Sequence, residues 1–77
     1  MVKRDKRIAA MRRNPKNVRP EELDAALRGA GFTVVGQEGS HKTYERGGER
    51  LTIPQHRPFL KPVYVRDALQ QLEEEDR

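Results

Sequence analysis

The chain has no cysteine. That excludes a disulfide framework and a cysteine–zinc site, and it fits a reducing cytoplasm. Long apolar runs are missing too. Nothing approaches the ~18 residues of a membrane span. The charged N-terminus has no apolar stretch of the signal-peptide kind. Together these absences lead to the expectation of a cytoplasmic protein with no membrane partner. Aromatic residues make up 5% of the chain and hydrophobic residues 34%. One domain of 77 residues buries only ~60% of its unfolded surface, so the core is thin and depends on good packing. Histidine is scarce, present only as His41 and His56.

Charge is abundant and unevenly placed. Residues 1–19 hold eight Lys/Arg against one acid, residues 20–72 hold seven of each sign, and residues 73–77 hold four acids and one arginine. A basic arm of this kind can attract polyanions through phosphate contacts and counterion release. It equally suits a solvated helix face.

The pattern predicts a first helix over Lys3–Arg13, with Ile8 and Met11 as its narrow apolar edge. Pro15 stops it, because the residue before a proline avoids helical geometry. A second helix starts at Pro20, a good first-turn residue, followed by Glu21, Glu22 and Asp24 at the positive end of the dipole. Leu23, Ala26, Leu27 and Ala30 form one apolar stripe. Gly31 ends this helix in a left-handed conformation, with Phe32 turned back onto Leu27.

Three strands follow: Phe32–Gln37, His41–Arg46 and Arg50–Ile53. Glu38-Gly39-Ser40 is read as one tight connection. Gly47-Gly48 is read as a two-residue hairpin turn, because both glycines can take positive φ. On the middle strand, Lys42 and Tyr44 share one face, and His41, Thr43 and Glu45 share the other. A loop over residues 55–61 leads to a last helix from Pro62, with Val65, Ala68, Leu69 and Leu72 as its stripe. Its acidic end, Glu73–Asp76, opposes the dipole and is expected to fray. The fold class is therefore α+β: a two-layer sandwich with helices on one face of a three-stranded antiparallel sheet, in the order α-α-β-β-β-α.

Histidine is the side chain best suited to exchange protons near neutral pH, so His41 and His56 are candidate acid/base groups. The bland alternatives are a surface strand histidine and a loop histidine bonded to a neighbouring carbonyl. Gly39 lets the turn approach a substrate closely, and Ser40 can contact phosphate or complete the turn. Lys61 at the start of the last helix suits a phosphate ligand. Arg57 and Arg66 can join it, or all three can be solvated charges. Among the aromatics, Tyr44 and Phe32 read as core residues, whereas Phe59 suits either packing or base stacking. Two histidines, with no carboxylate spaced to complete a ligand set, give no metal site. No cofactor is implied.

From Gly31-Phe32 to Leu69 the chain resembles the HicA family of toxin ribonucleases. The residues that carry this are Gly31-Phe32, Gly39-Ser40-His41, Tyr44, Ile53-Pro54-Gln55-His56, Leu60-Lys61-Pro62, Val65-Arg66 and Leu69, in order and spacing. The ordered set carries the likeness, since no one motif in it is specific. The resemblance implies a fold like the double-stranded RNA-binding domain and metal-independent cleavage of mRNA that arrests growth under stress. It implies a HicB-type antitoxin as partner and His41, in the Gly-Ser-His motif, as the catalytic residue. His56 follows the strand-ending proline as a second candidate. Residues 1–17 would be an N-terminal extension, possessing a helix, ahead of a HicA-like domain at 18–77. The competing readings are a non-catalytic RNA-binding module of the same fold and a purely protein-binding adaptor.

Overall fold

The computed structural model describes residues 3–75, with side chains described over residues 6–72. Three helices, α1 (Lys3–Arg13), α2 (Pro20–Gly29) and α3 (Pro62–Glu75), surround strands β1 (Thr33–Glu38), β2 (His41–Arg46) and β3 (Glu49–Pro54). A short 3-10 turn at Pro15–Asn17 joins α1 to α2. The strands form one antiparallel sheet in the order β1-β2-β3. The architecture is the expected α+β arrangement. From α2 onwards it has the helix, three strands, helix order of the double-stranded RNA-binding fold.

One core serves the whole domain. Leu23, Ala26 and Leu27 of α2 meet Val65, Ala68, Leu69 and Leu72 of α3 over Tyr44, Leu51 and Ile53 of the sheet. Each fully buried large apolar side chain contributes about 1.5–3 kcal/mol. Ile8, Met11 and Val18 belong to this same cluster, so α1 packs as part of the domain although its apolar edge is only two residues wide. The Val18 carbonyl accepts the Leu60 N–H at 2.8 Å, which ties the segment before α2 to the loop before α3.

Local chemistry sets the element ends. The Arg19 N–H donates to the Glu22 carboxylate at 2.8 Å, closing the first turn of α2 behind Pro20. At the other end, Phe32 N–H bonds the Leu27 carbonyl and Gly31 N–H bonds the Arg28 carbonyl, both at 3.0 Å. These are the two bonds of a Schellman cap, and Gly31 supplies the positive φ it requires, +103°. Arg46 completes this end: its Nη1 donates to the Ala30 carbonyl at 2.7 Å, its Nε pairs with Glu49 at 2.9 Å, and its guanidinium lies 4.3 Å from the Phe32 ring centre.

Both hairpin turns have two residues, since Glu38 pairs with His41 and Arg46 with Glu49. At each turn only the first residue, Gly39 or Gly47, has positive φ. The two-residue hairpin expected at Gly47-Gly48 is present, and because Gly48 does not use the positive φ open to it the pattern is that of a type II′ turn. Between Val34 and Gly36 the β1 register shifts. Val35 is the extra residue of this bulge and stands exposed. α3 runs to Glu75. The fraying expected at Glu73–Asp76 concerns side chains, and at Asp76 backbone, outside the described residues.

Candidate active site

The alternation of β2 places Tyr44 in the core and His41, Thr43 and Glu45 on the opposite sheet face. His41 is the first residue of β2 and is exposed. It sits between Glu38 on β1 and Pro54 on β3, its partners in the two registers. Farther along the same face, the Thr43 and Thr52 hydroxyls bond at 3.2 Å and Arg50 pairs with Glu45 at 3.0 Å. Glu38 beside His41 went unnoticed in the sequence, although a two-residue turn necessarily pairs the residues that flank it.

The Gly39-Ser40 turn is fixed to the loop after β3. The Ser40 carbonyl accepts the Gln55 N–H at 2.6 Å. One bond therefore holds the residue before His41 to the residue before His56. The His56 ring is held in turn, with Nδ1 lying 3.1 Å from the Phe59 carbonyl oxygen. A carbonyl only accepts, so Nδ1 carries the hydrogen. Nε2 is then the nitrogen that can exchange a proton with a ligand. The carbonyl-bonded loop histidine considered from the sequence is thus observed. The same bond also orients the ring.

His56 and Lys61 line one open cleft of about 380 Å³, together with Lys16 from the 3-10 turn. Arg57 turns elsewhere. Its Nη1 pairs with Glu21 at 3.3 Å, beside a smaller cleft that contains Asp24 and Lys42. Both members of this pair are largely exposed, and such pairs contribute little to stability, so a phosphate can compete for the guanidinium. Arg66 lies near Arg12, Pro15 and Gln70, in another depression between α1 and α3. Of the four basic or polar residues expected at phosphate, Ser40 therefore stands at the turn before His41, Lys61 joins His56, and Arg57 and Arg66 flank two other depressions. In the sequence Lys16 is one of the eight basic residues of the N-terminal arm, with nothing to single it out. Its place depends on the long-range bond between Val18 and Leu60.

Under the sheet, Asp24 gathers three partners. The Tyr44 hydroxyl donates to it, Arg28 Nε bonds it at 2.9 Å, and Lys42 Nζ lies 3.7 Å away. Burial alone would raise its pKa. The hydrogen bonds from Tyr44 and Arg28, with the charges of Arg28 and Lys42, outweigh that and hold the carboxyl below the ordinary aspartate range. Burial and the bond to Asp24 push the Tyr44 phenol above its ordinary range. This group fixes β2 against α2, and through β2 the position of His41. Among the described residues, no group of three or more His, Asp or Glu side chains is placed to hold a metal ion. No helix among them is long and apolar enough to cross a membrane.

Fold and site define a small helix–sheet–helix domain with an exposed histidine behind a glycine turn and a basic cleft nearby. The family model described as the HicA toxin of bacterial toxin-antitoxin systems matches residues 20–73, and the chain belongs to this family. α1 and the 3-10 turn lie ahead of the matched segment. Neither curated proteins nor solved structures gave a match.

Proposed function

We propose that this HicA family toxin is an endoribonuclease that cleaves mRNA without a metal, with His41 as its acid/base catalyst. The observation that carries the reading is the position of His41: exposed, at the head of the middle strand, on the sheet face away from the core, directly after the Gly39-Ser40 turn. RNA cleavage needs a proton taken from a ribose 2′-OH, attack of that oxygen on phosphorus, and a proton returned to the departing 5′-oxygen. His41 serves one of these proton steps, worth ~10²–10⁴-fold. His56, with Nδ1 committed to Phe59, offers Nε2 as the second proton carrier. Ser40, Lys61, Arg57 and Arg66 serve as phosphate ligands, and the basic arm adds affinity that does not depend on sequence.

The toxin-antitoxin family implies an antitoxin partner. We take it to be a HicB-type protein that covers the open sheet face, acting with the toxin in the cytoplasm. The deciding experiment is cleavage of a long RNA in EDTA by the wild type and by His41→Ala. Loss of cutting in the variant, with RNA binding retained, supports the assignment. Undiminished cutting removes it. Binding without cutting by either protein leaves a non-catalytic RNA-binding module.

A further inference from the structure

We propose that the cleft between the 3-10 turn and the start of α3 is a nucleotide subsite, taking one nucleoside of a single-stranded RNA and its phosphate. The proposal rests on the RNA-binding reading above and adds residues to it. Pro58, Phe59 and Pro62 supply apolar lining, Lys16 and Lys61 supply donors, and His56 presents Nε2, which accepts a hydrogen bond when the ring is neutral and donates one when it is protonated. None of the lining residues is acidic, unlike the cleft beside Arg57, which holds Glu21 and Asp24. Apolar and aromatic surface next to cationic groups is the chemistry that binds single strands, by stacking a base and pairing its phosphate. The volume of about 380 Å³ lies at the small end of the ~300–1,000 Å³ usual for ligand sites, which suits one nucleotide.

The cleft is built before any ligand arrives. Val18 and Leu60 are both buried, and the bond between them ties the segment that carries Lys16 to the loop that carries Lys61. His56 is oriented by Phe59, whose carbonyl accepts its Nδ1 hydrogen. Lys16 lies outside the segment matched to the toxin family. The residues ahead of α2 thus contribute directly to substrate contact.

The test is titration of a fluorescent single-stranded RNA with 2′-O-methyl riboses, which cannot undergo 2′-OH attack, at several salt concentrations. The full chain is compared with Lys16→Ala, Phe59→Leu and Arg13→Ala. Lys16→Ala should reduce the slope of log K against log salt by about 0.7, the value for one phosphate contact on a single strand. Phe59→Leu should weaken binding by about fivefold or more with the slope unchanged, since stacking is lost and no charge is removed. Arg13→Ala, an exposed charge on the same arm outside the cleft, should lose less than Lys16→Ala. Equal losses for the two basic variants, or wild-type affinity for Phe59→Leu, would overturn the subsite. If the wild type cuts unmodified RNA while Phe59→Leu binds normally, the subsite fails and the nuclease stands. If the wild type neither cuts nor binds RNA, both fail.

Discussion

The Tyr44 hydroxyl donates a hydrogen bond to the Asp24 carboxylate, joining the middle strand to the second helix from beneath the site. The bond is charge-assisted, but Asp24 is partly exposed and also bonded by Arg28. Tyr44→Phe should therefore cost about 1 kcal/mol, below the ~1.5–3 of a well-buried bond to a charge. A lowered urea midpoint with an unchanged slope is the expected observation. No change in midpoint would mean that the hydroxyl contributes nothing.

The same pair should shape stability against pH at both ends. The Asp24 pKa is depressed in the folded protein, so below about pH 3.9 the unfolded chain takes up a proton before the folded one does. Its contribution is complete above that pH and falls away as pH drops through the folded pKa. Tyr44 is raised, so its contribution is complete below about pH 10 and declines as pH rises beyond that. Urea midpoints measured across pH should show a shallower acid limb in Asp24→Asn and a shallower alkaline limb in Tyr44→Phe.

Gly31→Ala should destabilise by about 1–2 kcal/mol, because an L side chain is strained at positive φ. The added Cβ would stand 3.4 Å from the Arg46 Cδ, close to ordinary van der Waals contact, so the cost comes from the backbone conformation. Thermal unfolding should shift down by roughly 4–8 °C for each kcal/mol lost in a domain of this size.

His56 can be divided by substitution into its two nitrogens. Asn approximates the Nδ1 donor to Phe59, and Gln approximates an amide at Nε2. If His56 carries a proton, both variants should lose about 10²-fold or more in RNA cleavage. If it only shapes the loop, His56→Asn should keep near-normal activity while His56→Gln does not. Cleavage rates for the two variants separate these roles.

Met11→Ala should lower stability by about 2–3 kcal/mol, within the range for large-to-small core changes. The residue is 4% exposed and sits in the main core cluster. Denaturant unfolding of this variant measures how firmly α1 belongs to the domain. Wild-type stability would show α1 to be a separable appendage.

The sequence by itself determined the elements and their faces. The stripe of α2, the Gly31 cap, the alternation of β2 and the glycine turns are local effects, set by backbone sterics and the helix and strand periods. His41 was legible for that reason: its strand, its face and its turn all follow from neighbours within a few residues. Glu38 was legible by the same rule and was overlooked. The tertiary structure alone decided which distant groups meet. It placed Lys16 beside His56 and Lys61, turned Arg57 onto Glu21, brought Arg46 to the end of α2 and seated Tyr44 on Asp24. These arrangements depend on how the helices pack on the sheet. That packing is set by the summed shape of many side chains and is written in no short stretch of the chain.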